Sequence, residues 1–338
     1  MNGRDRILDL VHGRPTDCLA CMPITMMFAS DFLGARYLDY ATDHGVQAAA
    51  QLKLAEHFDL DHVSVISDPC CEAADCGAEV AWFEDAPPAL REENSLLREK
   101  ATLASLRAPD PLRGPRMSNR AQAVKDLAGS VGSSRLVEGW IEGPCAEAAD
   151  LRGINRLMLD FYDDPDFVHE LMDFVVELGI SFGLAQVDAG AEAIGIGDAA
   201  ASLIGPALYD EFVWPGEQRL VNAMHDAGVI CRLHICGNNR RFLPHAAKLG
   251  CEIIDIDAPV TMVAARQAVG AEQVICGNLD PVRSIHDGAP DEIFAKFGAC
   301  HDQAGPRYIV GGGCEIPRRT ALPNFQAIVD FARTTSAG

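Results

Sequence analysis

Three side chains, two close together and one far downstream, carry the strongest chemical signal in the chain. His234 and Cys236 stand two residues apart in LHICGNN, and Cys314 follows 78 residues later (314 − 236) in GGGCEIP. In an extended segment, residues two apart point to the same side, so the imidazole and the first thiol share one face. An imidazole with two thiolates suits zinc, and three protein ligands leave a fourth position for substrate, as in catalytic zinc sites. The same residues also read as a core histidine and two buried thiols, because cysteine is among the most buried residue types. Spacing alone leaves both readings open.

Positioning such a set requires strand ends that converge. Short apolar runs occur at 21–27, 62–68, 135–143, 192–198, 229–237, 252–257, 273–278 and 307–313, each followed by an amphipathic helical pattern. Strands buried on both faces read as continuous apolar runs, and eight strand–helix units predict an α/β chain folded as a single (β/α)₈ TIM barrel. An open doubly wound sheet is the alternative, since periodicity does not say whether strand eight meets strand one. No sequence repeat recurs at the unit length, which argues against a solenoid. The stretch at about 84–134, punctuated by Pro87, Pro88, Pro109, Pro111, Gly114 and Pro115, is too long for a plain connection. It is expected to be an insertion between strands two and three, with its own hairpin and helices. Helices are expected at 165–187 and 206–227.

In such a barrel, reactive groups sit where strands end. Asp68 follows strand two, Glu138 and Glu142 flank strand three, Asp198 follows strand four, Asp257 strand six, Asn278 and Asp280 strand seven, and Glu315 strand eight. Asp68, Glu138 and Asp198 are the candidates for catalytic roles, with helix capping as the plainer reading of Asp198 and Asp280. Gly311, Gly312 and Gly313 are not followed by the GK[ST] of a phosphate loop and read instead as a tight turn that delivers Cys314. Cys70, Cys71 and Cys76 read as bystanders.

The 338 residues carry 28 Lys+Arg against 49 Asp+Glu, a net charge of −21, which disfavours phosphate backbones and anionic membranes as partners. With 48% hydrophobic residues, the chain can build a large core and is not of the disordered class. Arg4, Asp5, Arg6 and Asp9 break the first apolar stretch, so no signal peptide is expected, and no run approaches a membrane span. Twelve cysteines spread over a chain of this size read as cytoplasmic thiols rather than a disulfide framework.

LHICGN, CGNLDPV and GGGCEIPRRTALPN resemble the uroporphyrinogen decarboxylase superfamily, in particular its corrinoid-dependent methyltransferase branch. PITMMFA, VSVISDPCCEA, EGPCAEAADLRG and GDAAASLIGPALYDEFVWP extend the similarity over nearly the whole chain. The resemblance implies zinc held by His234, Cys236 and Cys314. It also implies a methyl group moved between a small substrate (a methyl ether, a methylated amine or thiol, or a thiol acceptor) and the cobalt of a corrinoid (cobalamin). Glu138 or Asp198 would then complete the zinc's coordination or orient His234. The chain lacks an Asp-x-His-x-x-Gly cobalamin pattern, so a partner corrinoid protein is implied; a homodimer is compatible with the same reading. The alternative is the decarboxylase itself, in which Asp68 would be the catalytic aspartate. That enzyme needs an arginine-rich loop for a substrate with eight carboxylates, and residues 22–40 offer only Arg36. A non-catalytic corrinoid- or zinc-binding protein is the second alternative, disfavoured because a degenerate scaffold should have lost ligands.

Overall fold

The apolar runs pair into one parallel sheet in the computed structural model, which describes residues 1–336. Its strands are β1 (Ala20–Cys21), β2 (His62–Ser64), β3 (Leu136–Glu142), β4 (Ala193–Gly197), β5 (Ile230–His234), β6 (Ile253–Ile256), β7 (Val274–Leu279) and β8 (Tyr308–Gly312). Their order is β1-β8-β7-β6-β5-β4-β3-β2, so the two edge strands are those that close a (β/α)₈ barrel. Among the described residues no helix is long and apolar enough to cross a membrane.

Strands one and two are shorter than their apolar runs, and the reasons explain why β1 and β2 do not pair. Pro23 has no N–H to donate, and after it the chain enters the helix Met26–Leu33 instead of extending β1 to residue 27. Past Ser64, the carbonyls of β2 accept side-chain donors: Gln47 Nε2 bonds Val65 O at 2.8 Å, Tyr40 Oη bonds Ile66 O at 3.2 Å, and Tyr37 Oη bonds Ser67 O. A buried carboxylate bridges the remaining gap. Asp61, just before β2, accepts the Cys21 N–H at 2.7 Å and pairs with Arg6 from the first helix and with Arg333 from the last, the latter at 2.9 Å.

Inside the barrel the side chains form layers. The lowest is apolar, with Met22, Leu136, Ala193, Ile230, Ile253 and Ile309 plugged by Ile7 and Leu10 of the helix Gly3–Val11. Above it lies an ionic layer of Glu138, Arg232 and Asp255, each at most 4% exposed. Trp140 occupies the next level, and Gly195 and Gly197 of β4 make room for it: a Cβ at Gly195 would meet the indole at 2.2 Å.

The hairpin between strands two and three pairs Val80–Ala81 with Ala89–Leu90, and so begins before residue 84. The segment ends in the helix Pro115–Val131, which packs beside β3 as a barrel helix. Pro165–Asp188 forms one helix with Asp164 capping its N-terminus. The expected helix at 206–227 is interrupted by a wider π turn at Tyr209–Val213, because Pro215 cannot donate to the preceding turn.

Removing the seam carboxylate takes a partner from the buried Arg6 and from the partly exposed Arg333, which keep Asp17 and Asp59, and leaves the Cys21 N–H without its acceptor. Asp61→Ala is therefore expected to lower the unfolding free energy by about 2–4 kcal/mol. Urea denaturation checks this through the midpoint; a loss of less than about 1 kcal/mol would show that the seam does not depend on Asp61.

Candidate metal centre

His234 is the last residue of β5, and the barrel's alternation turns it inward beside Trp140, their rings 6.3 Å apart. Cys236 lies just past the strand. There Gly237, at φ +81°, turns the chain, and its N–H is held by Asp257 Oδ2 at 2.6 Å. Cys314 arrives from the end of β8 through Gly313, where a Cβ would come within 2.7 Å of Ala258 N and Asp257 Oδ1. Only glycine at 313 lets the β8 loop approach the β6 loop this closely; Gly311 and Gly312, expected in the same turn, are instead the last residues of β8.

The three side chains converge. His234 Nε2 lies 3.0 Å from Cys236 Sγ and 3.6 Å from Cys314 Sγ, and the sulphurs are 3.6 Å apart. Two sulphurs about 2.3 Å from one tetrahedral zinc would be roughly 3.8 Å apart, and a nitrogen roughly 3.6 Å from each. The triangle is therefore of the size and donor chemistry that zinc requires, with Cys236 drawn slightly closer by its contact with the imidazole. All twelve cysteines are free.

Nε2 faces the sulphurs because Nδ1 is engaged on the other side, 2.9 Å from Asp255 Oδ2. Asp255 is held in turn by Arg232 Nε at 2.9 and 3.1 Å, and Arg232 Nη1 reaches Glu138 at 3.3 Å. Burial alone would raise the Asp255 carboxyl, but the Arg232 charge and the His234 hydrogen bond hold it below the ordinary value. For His234, burial favours the neutral ring, but Cys236 and Asp255 outweigh it and push the pKa well up. The contact with Cys236, aided by His234, draws the Cys314 thiol down, while the same contact and burial push Cys236 up.

Residues 2–335 match the model of the uroporphyrinogen decarboxylase (URO-D) family. The chain belongs to the uroporphyrinogen decarboxylase family. A curated member, the methylcobamide:CoM methyltransferase MtbA of Methanosarcina mazei, is 32% identical over 220 residues, 64% of each chain. The match thus spans less than two thirds of that relative's length. The methylcobamide:CoM methyltransferase MtaA of Methanosarcina barkeri is 24% identical over 96% of both chains. A uroporphyrinogen decarboxylase of Nocardia farcinica is 30% identical over 186 residues, 53% of this chain and 52% of its own. A solved methyltransferase from Methanosarcina mazei superposes with TM-score 0.90 at 23% identity over 98% of both chains, which shows the barrel fold.

Within this URO-D barrel the three carboxylates expected at the site lie apart from the sulphurs. Glu138 sits a layer lower and faces Arg232. Asp198 follows Gly197, and strand alternation points it outward, where it accepts Ala146 N–H at 2.7 Å and Cys145 N–H at 3.3 Å at the start of the helix Pro144–Arg152. Its capping role is the one the structure displays; burial raises its carboxyl to about 7 against those two hydrogen bonds. Asp68 has no exposed side-chain surface and is paired with Arg116 at 2.6 Å. The sequence reading missed Asp255 and Arg232. Their signal was a charge inside an apolar strand at the same parity as His234: Arg232 two residues before it, and Asp255 in the neighbouring IIDI.

Metal-ligating histidines depend on the carboxylate behind them, so Asp255→Asn is expected to weaken zinc affinity by about 10–100-fold while the fold is retained. Competition with a chromophoric chelator measures it, with circular dichroism as the folding control. An unchanged affinity would show that Asp255 does not orient the ligand.

Proposed function

We propose that the protein transfers a methyl group between a small substrate and the cobalt of a corrinoid carried by a partner protein, using zinc held by His234, Cys236 and Cys314. The imidazole–dithiol triangle, with Nε2 aimed into it by Asp255, carries this reading. The methylcobamide:CoM methyltransferases among its relatives support it at the level of reaction class. Zinc, when bound, supplies a Lewis acid that improves an ether leaving group or lowers the pKa of a substrate thiol. The chain's own residues set the conditions. Asp255 fixes the His234 tautomer, Asp257 and Gly237 hold the Cys236 turn, and Trp140, Ile24 and Ile66 give the barrel mouth an apolar lining beside His234 that limits water.

Asp68, Glu138 and Asp198 act here as positioning residues: the first fixes the β2 loop through Arg116, the second neutralises Arg232, and the third anchors the helix after β3. Docking of the corrinoid protein is assigned to the C-terminal face of the barrel, where both thiols emerge. The free cysteines accord with a reducing, cytoplasmic setting. Decarboxylation of a porphyrinogen fits less well, because Asp68 is buried and paired with Arg116 and residues 22–40 offer only Arg36 for a substrate with eight carboxylates.

Purified protein is expected to contain about one zinc per chain, reduced in Cys236→Ser and Cys314→Ser. Chelation should abolish methyl exchange between methylcobalamin or a corrinoid protein and a thiol, and added zinc should restore it. Ligation displaces protons from Cys and His, so zinc occupancy should fall as the pH is lowered. Full zinc content and unchanged exchange in both serine variants would contradict the assignment.

A further inference from the structure

A second concentration of chemistry lies away from the thiols, over β3 and β4. A cavity of about 510 Å³ opens between the hairpin, the helix Pro144–Arg152 and the turn after β4, within the usual range of small-molecule sites. Its walls are largely aliphatic, including Leu90, Ile154, Ala200 and Leu203; its acidic lining includes Glu142 and Asp150, and the exposed Arg91 that also lines it is paired with Glu79 at 3.5 Å. Glu142 is the last residue of β3 and only 8% exposed. Glu72 and Glu147 lie close behind, each at most 2% exposed.

These carboxylates lack partners to an unusual degree. Both oxygens of Glu147, Oε2 of Glu72 and Oδ2 of Asp150 are buried without a hydrogen bond. The nearest guanidinium contact is Arg120 to Glu72, at 3.8 Å, with Glu72 Oε1 accepting the Glu142 N–H at 2.9 Å. Burial raises the carboxyls of Glu142, Glu147 and Asp150, and all three are raised further by neighbouring acids. Buried acids packed this closely either take up protons or need a positive charge beside them, and a cation in the cavity would favour their ionised forms.

A single metal ion is not the match. Among the described residues, the groups whose ligand atoms converge within 4.8 Å are His234, Cys236 and Cys314, and His225, Cys231 and Glu252; these four carboxylates are not among them. A larger cation with aliphatic substituents fits both the acids and the walls. We propose that this cavity binds a small alkylated ammonium ion, its charge facing Glu142 and Asp150 and its alkyl groups facing Leu90, Ile154 and Leu203. Binding stands apart from the zinc centre and does not depend on the methyl-transfer reading above.

Isothermal titration of the intact protein with choline, trimethylammonium and tetramethylammonium, against the neutral choline isostere 3,3-dimethylbutan-1-ol, tests the site. At least one ammonium should bind 1:1, the isostere should bind more weakly than choline by about tenfold or more, and Glu142→Gln and Asp150→Asn should each weaken the bound ammonium by about tenfold. Binding should persist after chelation, because no zinc-ligand candidate lines the cavity. Equal binding of the isostere, no saturable binding of any ammonium below about 10 mM, or unchanged affinity in both folded variants would overturn the proposal. Comparison of the ligands on the parent protein decides the matter if a variant does not fold. Loss of ammonium binding with zinc-dependent methyl exchange intact rejects this site alone, and the reverse result rejects the methyl-transfer reading alone.

Discussion

A guanidinium buried on the barrel axis governs how the rest of the interior is arranged. Arg232 is 2% exposed and cannot shed its charge, so the fold surrounds it with acceptors: Asp255 on one side, Glu138 on the other, and Met22 O at 3.1 Å. An unpaired charge at this depth would cost several kcal/mol, so the carboxylates are constrained as tightly as the arginine. Asp255 uses its second oxygen to hold His234 Nδ1, which converts a packing requirement into a defined direction for Nε2. The centre at the mouth is thus continuous with the ionic layer beneath it.

The two thiols reach that centre by a different physical route. Neither lies in a regular strand, and their positions depend on loop backbone held by Asp257, which accepts the N–H groups of Gly237 and Ala258 at 2.6 Å. Gly313 then permits the contact between the β6 and β8 loops. Rigid strand for the imidazole and pinned loop for the thiols gives a triangle of fixed size, open towards the C-terminal face on which barrel enzymes place their chemistry.

Much of this was legible in the sequence where a signal is local. Each of the eight strands overlaps an apolar run, β1 by Cys21 alone, and His-x-Cys marked the site although Cys236 lies just past the end of β5, where the strand period no longer applies. The shortened β1 follows from Pro23, but the shortened β2 depends on Tyr37, Tyr40 and Gln47 reaching its carbonyls from elsewhere in the chain, which no local pattern records. The carboxylates were harder. Asp198 stands at a strand end but one residue out of phase with the interior, so it faces a helix N-terminus; Asp255 is in phase with the interior but sits within a strand. Strand ends alone therefore selected the wrong acid, and parity combined with the buried Arg232 would have selected the right one.

The central claim is that one imidazole and two thiolates bind a single zinc ion together. Zinc-edge X-ray absorption on the purified protein addresses it directly. The account predicts two sulphur scatterers at about 2.3 Å and an imidazole nitrogen at about 2.0–2.1 Å, with one sulphur lost in either Cys236→Ser or Cys314→Ser. A first shell made only of oxygen and nitrogen, or one with sulphur that persists unchanged in both variants, would contradict it.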